Sequence, residues 1–527
     1  MAIHPLDTTR HITETYLRYL KTIKPFQDAM FREQFSNAIQ EKDLLIKGPL
    51  VEIALPYQKS ASIKDLVAEG VLSPEFSKLN SPDLPFERKM YVHQVNAIRK
   101  IVAGHNLVVA TGTASGKTEA FLVPILNSLF REEENRTLSY PGVRAMLLYP
   151  MNALANDQMK RLRKLLKDYP KIKFGRYIGE TDWAETRTEA IGNYKKFFGA
   201  EPLENELISR REIQEKPPHI LLTNYAMLEY LLLRPADSSL FDGETGKYWH
   251  FIVLDEAHVY DGANATEMSM LLRRLEDRIV GPKLGKLQAI ATSATIGRGR
   301  ADYPDVAQFA RNLFNLDFGW DENDPDRQDI VEAVHVPVKD LGVPWGKGTP
   351  GLYAELLRLV DKRPAKSSEQ LAYLDKFEDI IKLYVNNAPI IEARSQARKN
   401  PSVPIQNYLY EVLRGDQNIH DLLGNLKGQN AKQLIDLARD VFGDNQDAVD
   451  TLINLVALAV FARVEADSVP LLPARYHLFA RALEGAFICL NESAHKKLPA
   501  NQQHELIYGQ QNQLRLNIHS SQFRKPY

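Results

Sequence analysis

The feature that most restricts the fold of this chain is a repeated one: between Phe86 and Leu316, short apolar runs alternate with stretches of helical character. The runs are LVVA from Leu107, AMLLYP from Ala145, KIKFGRYIG from Lys171, HILLTN from His219, HFIVLDEAH from His250 and LQAIATSAT from Leu287. A strand with one wet face alternates polar and apolar residues. A strand apolar at successive positions is buried on both faces, and the helices between such strands supply the cover. The pattern predicts an α/β domain over 86–316, built on a parallel sheet with helices on both sides.

Parallel sheets of this kind bind ligands at the carboxyl ends of their strands. The residues that follow each run are therefore the candidates. After the first run comes a loop of small residues and hydroxyls, Thr111, Gly112, Thr113, Ala114, Ser115 and Gly116, leading into Lys117, Thr118 and a helix. Such a loop can wrap its N–H groups around a polyphosphate, with Lys117 reaching the terminal phosphates and the Thr118 hydroxyl available to Mg²⁺. The strict glycine-rich pattern has Gly where Thr111 stands, so the loop alone leaves open an ordinary strand-to-helix turn with a chance Gly-Lys-Thr.

Two carboxylates, Asp255 and Glu256, end the run from His250, placed for Mg²⁺ binding through water and for orienting or deprotonating an attacking water. By themselves they also suit a helix N-cap. The last run ends in Thr292-Ser-Ala-Thr295, which alone reads as a polar loop. One helix ahead of the phosphate loop lies Tyr91-Val-His-Gln94, where the Gln94 amide can pair with adenine in a bidentate way, although a lone Gln is usually a surface residue.

The order of these pieces carries the reading. Gln94, then Lys117 and Thr118, then Asp255 to His258, then Ser293 to Thr295, resemble a superfamily 2 DEAD/DEAH-box helicase, with TGTASGKT as motif I, DEAH as motif II and SAT as motif III. In that family the first position of motif I is commonly Ala, Gly or Thr, which accounts for Thr111. Tyr149 to Gln158 resembles motif Ia, Gly179-Glu-Thr181 the turn that follows it, and Thr223 to Leu228 motif Ib. The segments LLTNYAMLEYLLLRP, AHVYDGANATEMSMLLRRL and LPARYHLFARALEGAFICLN resemble a bacterial branch of large helicases that includes DNA-repair and phage-defence members.

The resemblance implies a P-loop NTPase (RecA-like) domain that uses ATP and Mg²⁺. It makes Lys117, Asp255 and Glu256 catalytic, puts Gln94, the motif I loop, Asp255, His258, Ser293 and Thr295 around the nucleotide, and assigns Mg²⁺ to Thr118 and Asp255. Pro150, Asn152, Gly179, Thr181, Thr223 and Asn224 would contact nucleic acid, with DNA favoured over RNA.

Composition adds limits. The 527 residues are 44% hydrophobic and 25% charged, enough for two to four domains. With 66 basic and 67 acidic side chains the formal charge is −1, so nucleic acid must be held by a local groove rather than by a basic surface. The basic stretch Met159 to Lys167 has Leu162, Leu165 and Leu166 on one helical face, which makes its charges a solvated surface. A single cysteine, Cys489, excludes an internal disulfide or a multi-cysteine zinc site. No signal-peptide core and no run near the ~20 apolar residues of a membrane span is present, so the expectation is a cytoplasmic protein without a membrane partner.

Four segments are expected: a mostly helical N-terminal piece over 1–85, the RecA-like domain over 86–316, a mostly helical domain over 317–470, and the start of a further domain over 471–527. The family also needs a second RecA-like domain with motifs IV to VI and an arginine-bearing helix, and no such stretch is found here. That domain is expected on a separate or missing chain. The alternative is a nucleotide-sensing adaptor, or one subunit of a split helicase, that unwinds nothing alone.

Overall fold

The computed structural model describes residues 4–480 except 24, 41–44, 54, 80, 113–114, 185, 280–286, 294–298, 427–430 and 467, together with 487–488 and 516–517. It divides into two compact units, one over 57–335 and one built from 1–56 with 336–527.

The first unit carries an eight-stranded sheet: β1 (Leu107–Ala110), β2 (Ala145–Tyr149), β3 (Phe174–Arg176), β4 (Glu206–Leu207), β5 (Ile220–Asn224), β6 (Phe251–Leu254), β7 (Gln288–Ser293) and β8 (Ile330–Glu332). Their order across the sheet is β8-β1-β7-β6-β2-β5-β3-β4, and every pairing is parallel. Successive residues of a strand enter opposite cores, as the pleat demands. Leu107, Val109, Leu147, Val253 and Ile290 pack in one core with the helices Val92–Val102, Lys117–Glu134 and Asn152–Leu166. Val108, Met146, Leu148, Leu254 and Ala291 pack in the other with Tyr225–Leu233, Gly262–Ile279 and Tyr303–Phe314. This is the α/β architecture that the apolar runs predicted.

The boundaries fall elsewhere than at 85 and 316. Residues 57–85 put Ile63, Leu66, Leu72, Phe76, Leu79 and Leu84 into the first core. Beyond 316, β8 pairs with β1 in the register Ile330↔Val108. Both stretches use elements of three to six residues, too short for their periodicity to stand out from a loop.

In the second unit the helices Pro350–Asp361, Ser367–Tyr384, Pro404–Leu413 and Ala448–Phe461 share a core with Leu352, Phe377, Tyr408 and Leu455 among its buried residues. The N-terminal segment joins that unit: the strand Ile46–Ile53 pairs antiparallel with Ala474–Ala480, in the register Ile46↔Ala480 to Ile53↔Ala474. The expected break at 470 is therefore crossed by a strand pair of high sequence separation, which local pattern cannot reveal. Cys489 lies outside the described residues. No helix among those described is long and apolar enough to cross a membrane.

Candidate nucleotide site and nucleic-acid edge

The sheet order brings the motifs to one edge. β1, β7, β6, β2 and β5 are neighbours in that order, so the residues after them form a row: the phosphate loop, Ser293, Asp255, Pro150 and Asn224. The row is tied beyond the strands, because the Thr111 N–H donates to the Ser293 carbonyl (3.1 Å) and the Asp255 N–H to that of Leu148 (3.0 Å).

In the loop, the hydroxyls of Thr111 and Ser115 are 2.6 Å apart and both residues are buried. Gly116 has φ of 76°, a left-handed conformation that glycine adopts without strain. A Cβ there would lie 2.2 Å from Nε2 of Gln94. Lys117 begins the following helix, and its Nζ is 3.1 Å from Oε1 of Glu256. Gln158, on the helix after β2, donates to the Thr118 hydroxyl at 3.3 Å. Thr113, Ala114 and Thr295 lie outside the described residues.

Gln94 is not a surface residue: it is buried, and both ends of its amide are engaged. Its Oε1 accepts from the Tyr91 N–H (2.8 Å) and its Nε2 donates to the Gly116 carbonyl (3.0 Å). It ties the helix Val92–Val102 to the phosphate loop. The preceding His93 has its Nε2 2.8 Å from the Ser115 carbonyl, so Nε2 carries a proton. Burial pushes this imidazole below its ordinary value, against the hydrogen bond to Ser115. The neutral ring then presents an Nδ1 lone pair that is buried without a partner among the described residues. Tyr57 packs on His93 (ring centroids 5.1 Å), Tyr91 (5.2 Å) and His335 (4.7 Å).

Asp255 is raised above the usual carboxylate range, chiefly by burial; the Thr292 hydroxyl and Lys117 oppose this, while the charge of Glu256 adds to it. Thr292 donates its hydroxyl to Asp255 Oδ1, and the Thr292 hydroxyl oxygen in turn accepts the Glu256 N–H at 3.3 Å. Glu256 has φ of 51°, a left-handed conformation rare for a non-glycine residue, which makes it a strained position of the kind that clusters at functional sites. Its Oε2 is 3.3 Å from Nδ1 of His258, which is in turn 3.2 Å from the Ser293 hydroxyl.

At the end of the row expected to meet nucleic acid, Asn224 caps its helix by accepting from the Met227 N–H (2.7 Å) and donates to Asn152 Oδ1 (2.7 Å). Pro150, Asn152 and Asn224 are half-buried and Gly179 is exposed. The two threonines are placed differently. Thr223 is fully buried with its hydroxyl on the Tyr177 carbonyl (2.7 Å), and Thr181, 3% exposed, donates to the Arg176 carbonyl (2.7 Å). Neither hydroxyl is presented to a strand; both fix the turn. In the basic helix after β2, Leu162, Leu165 and Leu166 are buried and Lys160, Lys164 and Lys167 exposed as the pattern predicts, whereas Arg161 and Arg163 are half-buried and paired with the buried Glu119 and Glu206.

Sequence reasoning missed Tyr57, His93, His335, Thr292 and Gln158 as site residues. His93 stood next to Gln94 and Thr292 next to Ser293, whereas Tyr57 and His335 are joined to the loop only by the tertiary fold.

A strand, a lysine-bearing phosphate loop and an acidic pair at the end of the next strand but one across the sheet define a nucleotide-binding α/β domain. Residues 91–302 match the DEAD/DEAH box helicase family. Over 93% of its length it is 27% identical to the Druantia protein DruE of Escherichia coli (strain UMEA 4076-1), of which it covers 30%. Over 44% it is 31% identical to the uncharacterized ATP-dependent helicase MJ1574 of Methanocaldococcus jannaschii, covering 28% of that protein. Among solved structures, the helicase MrfA bound to DNA aligns with a TM-score of 0.37 at 18% identity, over 71% of this chain and 48% of MrfA. The chain thus spans less than a third of the length of these two curated relatives.

Proposed function

We propose that this chain is the motor portion of an ATP-dependent helicase or translocase, acting on DNA, in which ATP is hydrolysed at the edge joining β1, β6 and β7. The observation that carries the reading is the 3.1 Å contact between Lys117 of the phosphate loop and Glu256 of the acidic pair, made at the carboxyl edge of a parallel sheet. The residues suit ATP with Mg²⁺: a glycine whose added Cβ would strike Gln94, a threonine hydroxyl after the lysine, and a partly buried carboxylate whose proton affinity burial raises.

Lys117 would exchange its carboxylate partner for a phosphate. Glu256, released from the ammonium, would orient or deprotonate the attacking water, and Asp255 with Thr118 would hold Mg²⁺, which neutralises the charge developing on the transferred phosphoryl group. Gln94, spanning Tyr91 and Gly116, would report the adenine to the loop. Asn152, Asn224, Pro150 and Gly179 would follow the strand's backbone. A second motor domain outside these residues would complete the site, a reading supported by the 30% share of DruE that the chain covers. A cytoplasmic setting fits the single cysteine.

The test is equilibrium binding of Mg·ATP to the parent, Lys117→Ala and Glu256→Gln proteins. Lys117→Ala is expected to lose binding and Glu256→Gln to retain it; equal affinity in the parent and Lys117→Ala overturns the assignment. Single-stranded DNA should bind with steep salt dependence and little sequence preference, because backbone contacts supply the affinity.

A further inference from the structure

Beside Gly179 and Thr181 opens a cavity of about 400 Å³, distinct from the nucleotide edge and large enough for a small planar ligand. Trp183 stands at it, 67% exposed. An indole so open to water, two residues past a turn that follows the nucleic-acid edge, asks for a partner.

The indole is already backed on one face. Arg210 places its guanidinium carbon 3.8 Å from the ring centroid and spends its N–H groups on the turn, donating from Nε to the Thr181 carbonyl (3.0 Å) and from a terminal nitrogen to that of Gly179 (2.9 Å). Arg210 is itself 4% exposed, so the turn and the indole are held as one rigid piece.

The lining selects the class of ligand. Three cations, Lys160, Arg163 and Arg176, meet three carboxylates, Glu180, Asp182 and Glu206. Arg163 and Glu206 are paired at 2.7 Å, and Arg176 lies 3.9 Å from Glu180. A lining of balanced charge, with two of its three cations paired to its own carboxylates, does not favour a free anion. Met159, Leu207 and Ile208 give it apolar wall, and Asn156 and Asn193 give it amide groups. Asn156 lies one helical turn beyond Asn152, on the same face of that helix, so the cavity continues the edge assigned to the strand. A flat, neutral, hydrogen-bonding ring on a polar chain matches this set: a nucleobase.

We propose that Trp183 and this cavity take up one unstacked base of the bound single strand, while the edge at Asn152 and Asn224 follows its backbone. The inference rests on the nucleic-acid reading above and adds to it a base-stacking site.

The test uses the full 527-residue chain with two strands of about 12 nucleotides, an oligothymidylate and its abasic counterpart. The parent is expected to bind the base-bearing strand about tenfold more tightly than the abasic one, with quenching of tryptophan fluorescence. Trp183→Ala should erase that preference and leave abasic affinity unchanged, and Trp183→Phe should keep part of it. A preference that survives Trp183→Ala overturns the inference and leaves the nucleic-acid reading standing. Adenosine alone quenching Trp183 as fully as the strand makes the cavity a free-nucleoside site and also overturns it. Failure of the parent to bind either strand at low salt overturns both readings.

Discussion

Two aspartates, one in each unit, meet burial in opposite ways. Asp416 is fully buried in the helical unit and accepts from the Tyr353 hydroxyl (2.6 Å), the Asn418 N–H (2.9 Å) and the Gly348 N–H (3.3 Å). The Asn418 amide closes the set by donating to the Tyr353 hydroxyl (2.8 Å) and the Gly348 carbonyl (2.9 Å). Asp255 in the sheet unit has the Thr292 hydroxyl as side-chain donor, with the like charge of Glu256 and the opposite charge of Lys117 nearby. Burial lifts both carboxyl groups above their usual range. In the first, neutral donors from the fold answer the penalty; in the second it is answered only in part, which is the condition for binding a cation.

Substitution should separate the two roles. Asp255→Asn is expected to remove the Mg²⁺-dependent part of ATP affinity, a loss of about 100-fold by analogy with the deletion of other charge-stabilising groups, with the thermal midpoint hardly moved. Asp416→Ala should do the reverse. Three donors lose their acceptor, so the helical unit is expected to lose about 3 kcal/mol in urea unfolding while Mg·ATP affinity stays at the parent value. A drop in stability from Asp255→Asn as large as that from Asp416→Ala would show that Asp255 is a structural group.

The contrast also explains what could be read from sequence. The β1, β2, β5, β6 and β7 strands showed as apolar runs because both faces of the sheet are covered, and the motifs at their ends showed because phosphate chemistry restricts residue type at fixed spacing. Asp416, Tyr353 and Asn418 carried no such mark, since a buried network can be built from many residue sets. The three-residue β8 and the two-residue β4 were too short for a pattern. Gln94 showed as a candidate, but its double engagement with Tyr91 and Gly116 is a matter of tertiary geometry. Thr181 and Thr223 matched the motifs, yet their hydroxyls turn inward.

A smaller effect than these separates the units by pH. His219, 4% exposed at the start of β5, accepts the Lys173 N–H at Nδ1 (3.1 Å). Burial, reinforced by the positive charges of Arg144 and Lys173, lowers its pKa to about 3. The unfolded chain takes up this proton near pH 6.5 and the folded one does not, so the contribution to stability is full above that value and is lost as pH falls towards 3. The slope is about 1.4 kcal/mol per pH unit over that window. Asp416 gives the helical unit the opposite sign, because a carboxyl group raised by burial costs stability as pH rises past its unfolded value. Amide exchange corrected for intrinsic rate and followed separately in β2 and β5 and in the helix Pro404–Leu413 should therefore show protection in the strands falling between pH 6.5 and 4.5. In His219→Gln, which keeps an acceptor for the Lys173 N–H, that fall should flatten while the helical unit is unchanged. An equal fall in the parent and in His219→Gln would mean that the buried imidazole does not set the pH response of the sheet.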